Sequence, residues 1–264
     1  MQPKPKKSLG QNFLVDKNIQ EKIIQACNLR KSDSVLEIGP GRGEITEYLI
    51  CRVKKVIAIE IDKELCGILG QRFQNAKNFE LLHQDILKTD LSGYKNLKVI
   101  ANIPYYISTP IISRLIDYKG SIKAIYLSVQ KELAQRLIAC CGSKVYGAYS
   151  CFVQFYTQPK ILFTIKNSSF WPQPKVDSCF VELRILPKPR YKVKNEELLF
   201  KVIRLGFNQR RKLLKNSLAK IASQEKLLGC FKKLALPQNS RAEDLPLADF
   251  AKLADCLSTE FLKG

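Results

Sequence analysis

The chain has 264 residues, 45% of them hydrophobic, and 44 Lys+Arg against 24 Asp+Glu, a net charge of +20. That length holds one large domain, or a large one with a small appendage. So strong a basic excess argues against a small neutral metabolite as the natural partner and for a polyanion. The nine cysteines are odd in number, scattered and without a C-x-x-C pair, which argues against a disulfide scaffold or a zinc site. With His83 as the single histidine, a His-dependent triad or a His-rich metal centre would rest on one residue, and no metal is expected.

The first seven residues, Met1-Gln2-Pro3-Lys4-Pro5-Lys6-Lys7, are basic but lead into Ser8-Leu9-Gly10-Gln11-Asn12 rather than the apolar stretch of a secretory signal. No run approaches the ~18 uncharged apolar residues of a membrane span. The expectation is a soluble, cytoplasmic monomer whose Lys4, Lys6 and Lys7 are placed to meet phosphates.

From Ser34 short apolar runs alternate with amphipathic stretches. Residues 35–39, 56–60, 79–82, 97–101 and 124–128 read as buried strands, and 44–51, 63–73, 109–118 and 130–140 as helices. Such alternation predicts an α/β fold with a mostly parallel, doubly wound sheet. Ligands of such sheets bind beyond the carboxyl ends of the strands.

Gly39-Pro40-Gly41-Arg42-Gly43 follows the first of these strands and opens a helix, where a backbone must approach a ligand closely. Glu44 stands where the dinucleotide fingerprint needs its third glycine, and no P-loop is present, so a ligand without a pyrophosphate is expected. Glu60 ends the second strand at the place where a carboxylate accepts both hydroxyls of a ribose. Asp85 follows the third strand and Asn102 the fourth. Polar groups converging from four strand ends mark a binding crevice. S-adenosylmethionine fits it: the glycine turn against the amino-acid moiety, Glu60 on the ribose, Asp85 at the adenine amine and Asn102 near the sulfonium.

Asn102-Ile103-Pro104-Tyr105 carries the parts needed to methylate an adenine amine, a poor nucleophile because its lone pair is delocalised into the ring. An asparagine oxygen and a backbone carbonyl beside a proline can accept hydrogen bonds from that amine, while Tyr105 stacks on the base.

Past Tyr149 the pattern changes. Residues 160–166 and 179–185 read as two strands at the far edge of the sheet, joined by Ser168-Ser169-Phe170-Trp171-Pro172-Gln173-Pro174. Pro187-Lys188-Pro189 breaks the chain, which predicts a domain boundary there, with residues 1–186 before it and a small all-helical domain of 187–264 after it. Its helices are expected over 196–207, 210–221, 224–234 and 247–257. Lys201–Lys233 holds ten lysines and arginines and one acid, Glu225, and is expected to grip phosphates.

Several segments together resemble the KsgA/Dim-type ribosomal RNA adenine dimethyltransferases over nearly the whole chain. They are Lys7–Leu14, Val35–Gly43, Glu60-Ile61-Asp62, Gln84-Asp85, Asn102–Ser108, Phe170 with Pro172–Ser178, and Phe207–Lys212. The resemblance implies a Rossmann-like methyltransferase sheet and S-adenosylmethionine held by Asn12, Leu14, Gly39, Gly41, Glu60, Asp85 and Asn102. It places the target at Asn102, Pro104 and Tyr105, with Phe170 closing over the base. It also implies two adjacent adenosines near the 3′ end of small-subunit rRNA, each taking two methyl groups. An immature small-subunit particle is the expected partner, with bare RNA left open as substrate, and within the basic stretch Arg210, Arg211, Lys212 and Lys215 are expected to grip the RNA. Trp171 departs from the smaller residue expected there and is read as packing on its loop. Two alternatives stay open: an N6-adenine DNA methyltransferase, disfavoured by Ile103 in place of a first proline, and a non-enzymatic RNA-binding assembly factor on the same fold.

Overall fold

The computed structural model describes residues 4–209 and 211–261, so the expected phosphate contact Arg210 lies outside the described residues. The first elements are β1 (Phe13–Leu14), α1 (Lys17–Ala26), β2 (Ser34–Ile38), α2 (Thr46–Ile50), β3 (Lys55–Glu60), α3 (Lys63–Arg72) and β4 (Phe79–His83). Then come β5 (Leu97–Asn102), α4 (Ser108–Asp117), β6 (Ile122–Gln130), α5 (Lys131–Leu137), α6 (Ala148–Tyr156), β7 (Thr157–Ile165), β8 (Phe170–Trp171) and β9 (Ser178–Ile185). The chain closes with α7 (Glu196–Asn208), α8 (Leu214–Ser217), α9 (Gln224–Lys233) and α10 (Leu247–Phe261).

Seven strands form one sheet in the order β4-β3-β2-β5-β6-β9-β7. The pairs from β4 to β6 are parallel, and β9 joins β6 antiparallel. Val35, Leu36, Val56, Val99 and Ile125 have no solvent exposure. Branched residues buried on both faces suit parallel strands covered by helices on either side. Chain direction reverses its lateral progress at β2: β3 and β4 add on one side, β5 and β6 on the other. In doubly wound sheets that switch opens a crevice beyond the strand ends. Register brings those ends level, with Ile38 opposite both Ile59 and Ala101. Helix starts are set locally: Asp16 caps α1 through the N–H groups of Asn18 and Ile19, and Asp62 caps α3 through that of Glu64.

A buried lysine fastens the opposite end of the sheet. Lys98 Nζ on β5 lies 2.9 Å from Asp33 Oδ2 and donates to the carbonyls of Asn28 (2.6 Å) and Cys27 (3.2 Å). Burial raises the Asp33 carboxyl, but hydrogen bonds from Lys98 and the Arg30 N–H, together with the charges of Lys98 and Lys123, outweigh it and the net shift is downward.

Several local expectations are corrected. β7 begins at Thr157 and includes Pro159, which its edge position tolerates because no inner neighbour needs the missing N–H. Ala148–Tyr156, assigned no element from its sequence, is a helix in which Cys151, Val153 and Phe155 are fully buried, so packing overrides the strand propensity of its aromatic residues. The helix expected over 210–221 shrinks to Leu214–Ser217, preceded by an extended Leu213. Arg210-Arg211-Lys212 would put three cations in the first turn of the expected helix, where the helix dipole disfavours positive charge. Phe170-Trp171 is not loop but a strand, paired antiparallel with β1 as Phe13↔Trp171 and Leu14↔Phe170.

The chain divides into two compact units, Met1–Ala134 with Gln158–Ile185, and Gln135–Thr157 with Leu186–Gly264. The second unit therefore takes in 135–157 as well as the chain beyond the proline break. Its interior is aromatic: Phe200 meets Phe152 at 5.6 Å and Phe155 at 5.4 Å between ring centroids, both edge to face. Those contacts tie α6 to α7, which explains why α6 belongs with the helical unit.

Candidate active site

One cleft in the first unit, about 1160 Å³ counted out to its open mouth, gathers most of the residues expected to bind a ligand. It is lined by Asn12, Leu14, Gly39, Gly41, Glu60, Asp85, Asn102, Pro104 and Tyr105. Gly39 and Asn102 are neighbours across the β2–β5 boundary, where a Cβ on Gly39 would stand 3.8 Å from the Asn102 carbonyl oxygen. The turn needs its glycines for different reasons. Gly39 and Gly41 have φ of +64° and +62°, and at Gly43, with φ +89°, a Cβ would press to 2.6 Å from the Phe73 ring.

Four carboxylates, Glu37, Glu44, Glu60 and Asp85, share the polar lining with the amides of Gln11, Asn12, Gln84 and Asn102. Glu60 is buried, and its Oε1 accepts from the N–H groups of Ile61 and Asp62, each at 2.9 Å, while Oε2 takes the Gly41 N–H at 3.3 Å. Two oxygens offer about four lone-pair sites, so in this conformation the spare capacity for a hydroxyl lies on Oε2. The expectation that Glu60 accepts two hydroxyls is narrowed accordingly. Asp85 is half-buried with Oδ1 held by the Leu87 N–H at 2.9 Å.

Glu37 was not singled out from the sequence, yet it lines the cleft, is almost fully buried, and takes a 2.6 Å hydrogen bond from Thr46 Oγ1. Burial, reinforced by the charges of Glu44 and Glu60, pushes its carboxyl up to about 8 despite the Thr46 bond. Glu44 and Glu60, both also lining the cleft, are raised chiefly by burial. A carboxylate inside the apolar run Val35-Leu36-Glu37-Ile38 is the signal that marks such a residue. A mainly apolar cleft with these acids suits a ligand that is flat and apolar at one end and cationic at the other.

At the end of β5, the Asn102 amide donates to the Asn12 carbonyl at 3.0 Å, leaving its own side-chain oxygen as an acceptor. The Ile103 carbonyl precedes Pro104, which has no N–H. Tyr105 is anchored by a 2.6 Å hydrogen bond between its hydroxyl and Ser178 Oγ, and burial raises its phenol more than that bond lowers it. Tyr106 is 65% exposed.

Three expectations meet a different arrangement. Phe170 does not line the cleft; it is 3% exposed within the hydrophobic core beside Leu14 and Phe180. Strand alternation turns its neighbour outward instead, and Trp171 is 46% exposed rather than packed on its loop. Lys6, expected on phosphates, is committed to acids, 2.6 Å from Asp62 and 3.3 Å from Glu64. Asp62 also accepts from Gln11 at 2.9 Å, which fastens the N-terminal segment over the end of β3. Lys4, Lys7, Arg211 and Lys212 are exposed and Lys215 half-buried. Among the described residues no group of His, Cys, Asp and Glu could hold a metal ion, and no helix is long and apolar enough to cross a membrane.

Residues 2–259 match the family model described as ribosomal RNA adenine dimethylase. The chain is 41% identical to the ribosomal RNA small subunit methyltransferase A of Clostridium botulinum (strain Kyoto / Type A2) over 95% of its own length and 93% of the relative's. It is also 41% identical to the protein of that name from Caldanaerobacter subterraneus, over 96% and 97%. Among solved structures, a dimethyladenosine transferase from Plasmodium falciparum superposes with a TM-score of 0.82 at 29% identity, covering 95% of this chain and 98% of that one. The 23S rRNA methyltransferase ErmE shares the fold at a TM-score of 0.75 and 22% identity, over 93% of this chain and 99% of its own. A glycine turn, a β3 carboxylate and an Asn-Ile-Pro-Tyr strand end sharing one cleft agree with a match of that extent, and the chain belongs to the ribosomal RNA adenine dimethylase family.

Proposed function

We propose that the chain methylates the N6 amines of two adjacent adenosines near the 3′ end of small-subunit rRNA, to the dimethyl state, with S-adenosylmethionine as donor and an immature small-subunit particle as the setting. The observation that carries this reading is the juxtaposition of Gly39 and Asn102 at the sheet's switch point, which puts a ligand-cradling turn beside an amine-orienting motif. S-adenosylmethionine supplies an electrophilic methyl group on a cationic sulfur. The chain's part is to bind, orient and exclude water.

The cleft's acids fit that donor. Glu44 and Glu60 set negative potential at the cleft that a cation relieves, while the buried Glu37 stays largely protonated beside them, and Glu60 Oε2 accepts from a ribose hydroxyl. The Asn102 side-chain oxygen and the Ile103 carbonyl accept from the adenine amine and hold its lone pair toward the reactive carbon. The half-buried Tyr105 ring, fixed through Ser178, gives the base a face to stack on. Acceleration comes mainly from this positioning, and the displaced proton passes to solvent, so the cleft needs no general base. Exposed cations such as Arg211 and Lys212 hold phosphates without reading sequence.

The test is transfer of labelled methyl groups to immature small subunits, naked rRNA and duplex DNA, with the modified nucleoside identified. Label recovered as N6,N6-dimethyladenosine in small-subunit rRNA supports the reading. Label in DNA alone, or in none of the three, overturns it.

A further inference from the structure

With Phe170 in the core, Trp171 is the exposed aromatic of its segment. It pairs with Phe13, which lines the cleft. The Arg42 guanidinium lies between them, 4.3 Å from the Phe13 ring centroid and 5.0 Å from that of Trp171. The ligand-cradling turn, of which Arg42 is a member, thus braces one face of the indole and brings a positive charge beside it.

The segment that carries Trp171 is held in shape before any partner arrives. The Val15 N–H donates to the Ser169 carbonyl at 2.9 Å, and Ser169 Oγ lies 3.1 Å from Asp16 Oδ2. Asn167 donates its backbone N–H to Asp177 Oδ1 and its side-chain amide to the Pro174 carbonyl. Four residues beyond Trp171, Lys175 is exposed, and at the far end of the same segment Ser178 anchors Tyr105. A rigid indole partly open to water, braced by an arginine and carried on a segment that also exposes a lysine, suits a flat, π-rich ligand attached to phosphates.

We propose that Trp171 stacks on an unpaired base adjoining the target adenosine, so that the cleft engages two nucleotides at once, one at Tyr105 and its neighbour on the Trp171–Arg42 platform. This rests on the reading of RNA as the substrate and adds a binding residue to it. Base stacking on an aromatic side chain is worth about 5- to 150-fold in affinity.

Trp171 is the only tryptophan of the chain, so its emission reports on this position alone. The probe is a single-stranded RNA with two adjacent adenosines, titrated into the full chain while binding is followed by the anisotropy of a dye on the RNA. Stacking quenches the emission in step with binding, and an abasic residue in place of the adjoining base removes the quenching while binding persists. Trp171→Ala raises the KM of methyl transfer about 5- to 150-fold with kcat nearly unchanged, and Trp171→Phe recovers most of the loss. RNA that binds without changing the emission, or a Trp171→Ala variant with the parental KM, overturns the proposal. Quenching without methyl transfer supports stacking and overturns the catalytic reading, whereas transfer without quenching does the reverse.

Discussion

Asn102, at the end of β5, donates its side-chain amide to the backbone carbonyl of Asn12, 90 positions earlier in the chain and 3.0 Å away. That bond fixes which way the amide points: nitrogen toward the N-terminal segment, oxygen toward whatever enters the cleft. Asn102→Ala removes both roles and is expected to lower kcat about 10²–10³-fold while RNA affinity stays near the parental value. Asn102→Asp keeps an oxygen acceptor but sets a carboxylate against the Asn12 carbonyl, and is expected to lose most activity too. Single-turnover transfer and RNA binding, measured on the same preparations, check both; dimethylation by Asn102→Ala at the parental rate would sink the role given to it.

Glu37 gives a pH dependence of defined sign. Below pH ~4.5 the carboxyl is protonated in folded and unfolded chains alike. Between there and its folded value of about 8 only the unfolded chain ionises it, so unfolding releases a proton and stability falls as pH rises, levelling off above 8. Glu37→Gln keeps the shape and is expected to flatten that slope in a Tm-against-pH series, with a difference of a few kcal/mol at most. A variant with the same slope as the parent would show that Glu37 is already ionised in the folded chain.

Lys98 is an ion-pair member whose removal takes a donor from two carbonyls and leaves Asp33 with the Arg30 N–H but no counter-charge beside it. Lys98→Ala is expected to cost about 3 kcal/mol in urea unfolding. Loss of well under ~1 kcal/mol would mean that water replaces the ammonium at no cost.

Glycines of the same chain separate into two kinds. Gly43→Ala meets the Phe73 ring and a φ of +89°, and is expected to lose at least ~1–3 kcal/mol and to weaken donor binding. Gly70→Ala, in α3 with nothing within 4 Å of its Cβ, is expected to gain up to ~1 kcal/mol. Equilibrium unfolding of the two variants side by side decides the matter.

If Arg211 and Lys212 hold phosphates, changing both to Ala weakens RNA binding at low salt. It also reduces the slope of log affinity against log salt by about 0.7 for each single-strand phosphate that is no longer neutralised. An unchanged slope would remove these side chains from the interface.

Much of the first unit was legible in the residues themselves. Apolar runs alternating with amphipathic stretches imply strands crossed over by helices, and that topology carries Gly39, Glu60, Asp85 and Asn102 to one end of the sheet whatever the details. Each of those inferences rests on a local period or a residue at a strand end. What only the tertiary structure decided depends on pairings between distant segments. A two-residue strand has no period to read, so β1 and β8 emerge only when Phe13 finds Trp171 across 158 positions, and that register sends Phe170 into the core and Trp171 outward. The partner of Lys6, the raised carboxyl of Glu37 and the membership of α6 in the helical unit follow the same logic. Burial and charge proximity are properties of neighbours in space, and the linear order of residues states them only after the chain has folded.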